Sequence, residues 1–340
     1  MNPTPDPGAI EVSDDLLRRA YDDMTTARLL DRAAVAWQRQ GILPAFPPHI
    51  GQEAAQVGSA LAAERPGDLL FPTYREHGVA VAAGVDLNGY FASHVNGWHG
   101  GRYNPLEARF MPLQAVVGGG VLHAVGWAMG RAKDGARDAA IAYLGDGASS
   151  QGDVHESMNF AAVFGAPVVF FVQNNRWSLS VPLHKQVAGE RVAARAAGYG
   201  IPALTVDGDD FVEVYRATAA ALAFAREHGR PVVVEAMTYR RGPHATSDDP
   251  SRYRTLEHEQ TAGPDPLDRM RDTLAAHGLA DEAWLAEVTA RAEARVEAVR
   301  AYLITTQPTP GSEMFRYVFQ EPTPQLAAQE RQWREESEHA

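Results

Sequence analysis

Residues 139–237 constrain this chain most. Short runs rich in β-branched and aromatic side chains at 139–144, 167–172, 203–206 and 231–237 alternate with helical stretches at 153–164 and 210–228. Strands that recur in units of about 30 residues with helices between them need crossover connections, so they lie mainly parallel in one sheet with helices on both faces. The run Val168-Val169-Phe170-Phe171-Val172 is apolar at every position, as a strand covered on both sides requires. The fold class is α/β.

The flanks read as helical arms. Ser13 is placed to cap a helix whose first turn carries Asp14 and Asp15, with Leu17, Ala20, Tyr21, Met24 and Ala27 on one period and Gly41 as its stop. A loop at 43–51 holds three prolines, 52–64 reads as a helix of small residues, 65–68 as a turn, 69–71 as a short strand and 118–131 as a glycine-rich start to a helix. Beyond 265 the chain turns helical, with a long charged helix at 281–305. The expected organisation is a flexible tail over 1–12, one domain over 13–325 and a charged tail over 326–340.

Composition removes several function classes. With 31 basic and 43 acidic side chains the net charge is −12, which disfavours nucleic acid or an anionic membrane as the main partner. There is no cysteine, which excludes disulfides, thiolate nucleophiles and iron–sulfur ligation. The first ten residues hold three prolines and no apolar stretch, unlike a secretory signal. The longest near-apolar run, 161–172, falls short of the roughly 20 residues a membrane span needs. A soluble cytoplasmic protein is expected.

The chemistry concentrates at the ends of two strands. Gly145-Asp146-Gly147 follows the strand at 139–144, and Gln173-Asn174-Asn175 follows the strand at 167–172. Ligands of an open parallel sheet bind outside the carboxyl ends of its strands. The βαβ unit thus brings Asp146 and Asn175 to one rim although they are 29 positions apart. A carboxylate and an amide oxygen beside glycine-freed backbone suit a hard cation such as Mg²⁺ and a phosphate. Rival motifs are incomplete. No third glycine completes a dinucleotide fingerprint, because position 150 is Ser; no Gly-Lys-Ser/Thr of a P-loop occurs; and His155-Glu156 lacks the second histidine of a zincin. No Gly-x-Ser-x-Gly elbow is present.

GDG, 26 residues and then NN resembles the thiamin diphosphate motif. The segment 145–182 is similar to the alpha subunits of 2-oxo acid dehydrogenase complexes, the decarboxylating components for pyruvate or branched-chain 2-oxo acids. Further stretches resemble the same family: Gly51-Gln52-Glu53-Ala54, Phe71 to Gly78 (FPTYREHG), Val206-Asp207-Gly208, Glu235 to Arg240 (EAMTYR) and Gly242 to Arg254 (GPHATSDDPSRYR). Together they cover roughly residues 14–325 in order.

The resemblance implies a thiamin diphosphate-binding fold and a set of roles. Asp146, the Asn175 side chain and the Trp177 carbonyl match the Mg²⁺ ligands. Tyr74 and Arg75 match the pair at the diphosphate, where a guanidinium fork suits phosphate oxygens. Gly147 and Ala148 would offer backbone N–H groups at the start of the following helix. Val117, within Val116-Val117-Gly118, matches the backbone contact to the aminopyrimidine, and His244 the catalytic histidine near diphosphate and substrate. The resemblance also implies a beta subunit supplying the glutamate that activates the cofactor, a two-alpha two-beta heterotetramer, and a lipoyl acyltransferase core as acyl acceptor.

Some positions depart from the family pattern. Many relatives have Gln where this chain has Gly120, branched-chain relatives often have Arg where it has Gln173, and animal relatives carry a phosphorylatable Ser where it has Ala245, so that control is impossible at this position. Val116 to Gly119 and Gln173 resemble the bacterial pyruvate type, and Thr246 to Asp249 the branched-chain type. Pyruvate is favoured by a small margin, and Phe46 is a candidate for lining the substrate pocket. Acetoin cleavage and a partner-binding subunit without catalysis are the alternatives. His49, His77, His94, His99 and His123 are expected in structural or surface roles.

Overall fold

The computed structural model describes residues 4–63, 65–96, 101–189, 191–307 and 309–338. Helix α1 (Asp14–Arg39) starts where the Ser13 hydroxyl accepts the Leu16 N–H, and ends before Gly41, whose φ of 77° turns the chain back. Next come α2 (Glu53–Ala62), β1 (Leu69–Phe71), α3 (His77–Ala82) and α4 (Leu87–Asn96). The alternating part follows: α5 (Gly119–Lys133), β2 (Ala140–Gly145), α6 (Gly152–Phe164) and β3 (Val168–Asn174). A small hairpin of β4 (Trp177–Ser178) and β5 (Val181–Pro182) precedes β6 (Ala203–Asp207), α7 (Phe211–His228) and β7 (Val232–Met237). The carboxyl-terminal part is α8 (Leu256–Gln260), α9 (Pro266–Ala276), α10 (Glu282–Thr305), α11 (Glu313–Arg316) and α12 (Pro324–Glu338). Near the start of the chain, Pro7–Ala9 form one 3-10 turn capped by Asp6.

The five main strands are all parallel, in the order β1-β2-β3-β7-β6. Side-chain alternation divides the core in two. Ile141, Tyr143, Val169, Phe171, Val232 and Val234 pack on the face covered by α1, α2 and α7. Ala140, Ala142, Leu144, Val168, Phe170, Val172 and Val233 pack on the face covered by α5 and α6. This is the doubly covered parallel sheet that the apolar runs predict; of the helical arms, α1 packs on α2 and α3, and α10 lies along α1.

A buried ion network ties these arms to the site-bearing loops. Arg28 on α1 donates to Glu53 at 2.5 Å and to both oxygens of Asp265 at 3.0 Å, the residue that caps α9. Glu53 in turn accepts the Gly51 N–H at 2.9 Å. Among the described residues no helix is long and apolar enough to cross a membrane.

Candidate active site

A parallel sheet points every strand's carboxyl end the same way, and here those ends build one cleft. Thr73 to Glu76 follow β1, Gly145 ends β2 with Asp146 to Ala148 after it, Asn175 to Leu179 follow β3, and Arg240 and His244 follow β7. Gln52, at the start of α2, and Val117 with Gly118, at the start of α5, close the sides. The cleft holds about 200 Å³. The nine residues matched to cofactor, metal or catalytic roles line it: Tyr74, Arg75, Val117, Asp146, Gly147, Ala148, Asn175, Trp177 and His244.

Asp146 is 1% exposed. Burial pushes its carboxyl up to about 6, partly offset by its own N–H and that of Asn175 and by the charge of Arg240. Its Oδ2 accepts a hydrogen bond from the Gln186 amide at 2.6 Å. Asn175 donates from Nδ2 to Gln52 Oε1 at 3.2 Å, while its Oδ1 accepts the Trp177 N–H at 3.2 Å. The Trp177 carbonyl accepts from Arg240 at 3.4 Å. Arg240 is fully buried, also donates to the Leu179 carbonyl at 2.7 Å and to the Tyr253 hydroxyl at 2.9 Å, and has its Nε unpartnered. Burial, with the charges of Arg254 and Arg75, pulls its pKa down to about 10.

The backbone at Gly147 differs from the sequence reading in one respect. Helix α6 begins only at Gly152; Ala148–Ser150 form a separate 3-10 turn. That turn uses the N–H groups of Ser149, Ser150 and Gln151, so those of Gly147 and Ala148 stay outside its hydrogen bonding. A Cβ at Gly147 would lie 2.8 Å from Ser178 Cβ and collide with its hydroxyl, so the close approach of β4 demands glycine.

On the opposite wall, Arg75 lies over the Tyr74 ring, 5.4 Å from its centroid. One terminal nitrogen donates to the Pro48 carbonyl and the other to His244, at 2.9 Å from its carbonyl and 3.2 Å from its Nδ1. Burial first, then the charges of Arg75 and Arg240, lower the His244 pKa to about 4. The imidazole is therefore neutral near pH 7. Because a guanidinium only donates, Nδ1 is the acceptor and Nε2 carries the proton. Asp248 fixes this loop, accepting the His244 N–H at 2.7 Å and the Tyr253 hydroxyl at 2.5 Å.

Gln173 lies in a buried amide relay. It donates to Glu76 at 2.6 Å and accepts from Gln56 at 3.0 Å, and Gln56 also holds the Arg75 carbonyl and the Gly78 N–H. Glu76 also accepts the N–H and hydroxyl of Thr73, each at 2.5 Å, and burial raises its pKa. At Gly120 an added Cβ would meet the Gln114 side chain at 3.6 Å, so a different glutamine occupies that neighbourhood.

Other candidates fall elsewhere. Phe46 is fully buried, stacked on His77 with centroids 4.6 Å apart, and is absent from the cleft wall. The proline-rich loop turns it inward because the aromatic cluster of His77, Phe91 and His94 offers it an apolar seat. His49, His77 and His94 belong to this interior; Nδ1 of His77 meets the Tyr90 hydroxyl at 2.7 Å and its Nε2 the Pro47 carbonyl at 3.1 Å. His123 is exposed and His99 lies outside the described residues. Arg240, Gln52, Glu76 and Ser178 complete the cleft without having been singled out; the first three stand inside the sequence stretches EAMTYR, GQEA and FPTYREHG, which was their signal. Gln186 had none.

Among the described residues no group of three or more His, Cys, Asp or Glu is placed to hold a metal. The donors gathered here are instead one carboxylate, one amide oxygen and one carbonyl, the mixed oxygen set that Mg²⁺ takes when phosphate and water complete its octahedron.

The chain matches the family model described as "Dehydrogenase E1 component" over residues 21–307. It is 42% identical over 327 residues to the 3-methyl-2-oxobutanoate dehydrogenase subunit alpha of Mycobacterium tuberculosis (strain CDC 1551 / Oshkosh), covering 96% of this chain and 89% of that one. It is 35% identical over 321 residues to the pyruvate dehydrogenase E1 component subunit alpha of Staphylococcus epidermidis (strain ATCC 35984), covering 94% and 86%. The protein of that name from Staphylococcus aureus (strain Mu50) gives the same identity and coverage.

Proposed function

The chain belongs to the dehydrogenase E1 component family, and from that premise we propose that it is the alpha subunit of a 2-oxo acid dehydrogenase. In this reading it binds thiamin diphosphate and Mg²⁺, decarboxylates a 2-oxo acid and passes the acyl group to the lipoyl arm of an acyltransferase. The observation that carries the reading is the convergence of Asp146, Asn175, Trp177 and the backbone of Gly147 and Ala148 with Tyr74, Arg75 and His244 on one cleft.

The donor set fits the metal. Asp146 is a buried carboxylate whose hydrogen-bonding partner is a neutral amide, so a cation there would offset the burial of its charge. Asp146, Asn175 Oδ1 and the Trp177 carbonyl would hold Mg²⁺, and the Gly147 and Ala148 N–H groups with Tyr74 would meet the diphosphate. Arg75 contributes its charge, since both terminal nitrogens are engaged. When bound, thiamin diphosphate supplies a carbon nucleophile and takes up the electron pair released with carbon dioxide. The chain's own part is to orient it and to serve the substrate. His244, neutral with its proton on Nε2, is a donor for the substrate carboxylate or carbonyl.

The carboxylates agree with a second subunit. Among the described residues only Asp146 and Glu76 line the cleft as carboxylates; the first would hold the metal, and Glu76 is tied to Thr73 and Gln173. In the same reading the glutamate that activates the cofactor comes from a beta chain, in a two-alpha two-beta assembly. For the substrate, identity with the mycobacterial chain favours 3-methyl-2-oxobutanoate, against the pyruvate-type features at Val116 to Gly119 and Gln173.

The test is decarboxylation by the chain assembled with its beta partner, thiamin diphosphate, Mg²⁺ and an artificial electron acceptor. Pyruvate and 3-methyl-2-oxobutanoate are offered side by side. Turnover of the branched acid in preference to pyruvate is expected. Preference for pyruvate would overturn the substrate assignment, and no turnover of either by a confirmed assembly would overturn the reaction.

A further inference from the structure

We propose that a second cavity, which shares Trp177 with the active-site cleft, binds a small organic phosphate. The cavity holds about 340 Å³ and lies between the β4–β5 hairpin, the loop that follows it and α8. Four of its lining residues are basic: Arg176, His184, Arg191 and His258; none of those described is Asp or Glu. A concave wall that carries two guanidinium groups and, among the described residues, no carboxylate favours an anion.

The two arginines are held differently. Arg176 is held with φ at 69°, a conformation fixed in part by Asn174 Oδ1 accepting its N–H at 3.2 Å. Its Nη1 donates to the Thr261 carbonyl at 3.1 Å, which fixes the guanidinium at the cavity wall. Arg191 is exposed, and its guanidinium forms no ion pair among the described residues. Glu259 on α8 is already engaged by Arg254 and by the Tyr239 hydroxyl. Asp209 shares the charges of Arg176 and Arg241 but does not line the cavity.

The rest of the wall is apolar. Leu183, Pro182 and Met237 are partly exposed over a floor of Trp177 and Tyr239. A bare inorganic anion gains nothing from such a surface, whereas a phosphate ester lays its organic part there. A phosphate of one to three charges fits the guanidinium pair better than a carboxylate because it accepts from several donors at once.

The cavity has a route to the Asp146 carboxylate. Its wall at 182–184 continues to Gln186, which donates to Asp146 Oδ2 at 2.6 Å. The far end of the same loop is pinned where Glu235 accepts the Val192 and Ala193 N–H groups, each at 2.9 Å. A ligand that shifts the wall at 182–184 therefore acts on Asp146 through Gln186 without entering the cleft.

The experiment is a calorimetric titration of the alpha–beta assembly with ADP, in saturating thiamin diphosphate and Mg²⁺ so that the catalytic cleft is filled. Binding with a Kd under about 1 mM is expected, weaker by about tenfold in Arg191→Glu and weakened in His184→Ala. Melting temperature and cofactor affinity should be unchanged in both variants. Pyrophosphate should bind more weakly than ADP. Absence of ADP binding, binding unchanged in Arg191→Glu, or binding that disappears once the cofactor is saturating would each overturn the proposal. Pyrophosphate binding as tightly as ADP would remove the organic part of the ligand from it.

Discussion

The guanidinium of Arg75 holds His244 at two points, 2.9 Å from its carbonyl oxygen and 3.2 Å from Nδ1. The two residues are 169 positions apart and meet because β1 and β7 end on the same side of the sheet. The contact sets the ring's tautomer and, with burial, keeps it neutral.

Replacing the arginine should therefore release the imidazole. In Arg75→Met the His244 pKa should climb from about 4 toward the ordinary value of about 6.5. Histidine proton resonances followed from pH 4 to 8 would report it. A matching acid limb should enter the kcat/KM profile, with turnover falling below about pH 6. A His244 resonance that titrates as in the wild type would show that Arg75 does not set its charge.

Asp146→Asn should raise stability and remove cofactor binding together. The carboxyl's pKa is about 6 when folded, above the value of roughly 3.9 in an unfolded chain. Ionisation is thus penalised in the folded state above pH 6, and the penalty is absent below about pH 4. Urea unfolding of the metal-free chain at pH 8 should show the variant more stable by about 1–3 kcal/mol, with the gap closing by pH 4. Mg²⁺-dependent cofactor binding should be lost while assembly with the beta chain persists.

At Gly147 the backbone passes so close to Ser178 that any side chain intrudes. Gly147→Ala should cost about 1–3 kcal/mol and most cofactor-dependent turnover. Because the obstructing atoms are the Ser178 side chain, the double variant Gly147→Ala, Ser178→Gly should regain much of both. A double variant no better than the single one would place the damage in the backbone N–H groups instead.

Glu76 is a strut for the cleft. Its carboxylate accepts from Thr73 twice and from Gln173, so Glu76→Ala strands one buried and two partly buried donors. Chemical denaturation should show a loss of about 2–4 kcal/mol, and Glu76→Gln, which keeps an acceptor, should lose less. An equal loss in both would mean that the carboxylate's charge, rather than its hydrogen bonding, holds Tyr74 and Arg75 in place.

Local sequence was enough for the elements. Ser13 with its acidic first turn starts α1, Gly41 stops it, and the strands at Leu69–Phe71 and Ala203–Asp207 fall within a residue of their expected limits. These features depend on caps, periodicity and apolar runs, which act over a few residues. The regular α/β alternation even placed Asp146 and Asn175 on one rim, because a crossover leaves little choice.

What the sequence alone determined was the doubly covered parallel sheet and many of the residues that gather at its carboxyl edge. Only the tertiary structure decided how those residues are held. The Arg75–His244 contact, the amide of Gln186 on Asp146 and the inward turn of Phe46 each join segments with no local signal between them. Buried polar groups must find partners wherever the packed chain offers them. Which partner is within reach depends on how the loops close over the sheet, and no period or motif in the sequence records that.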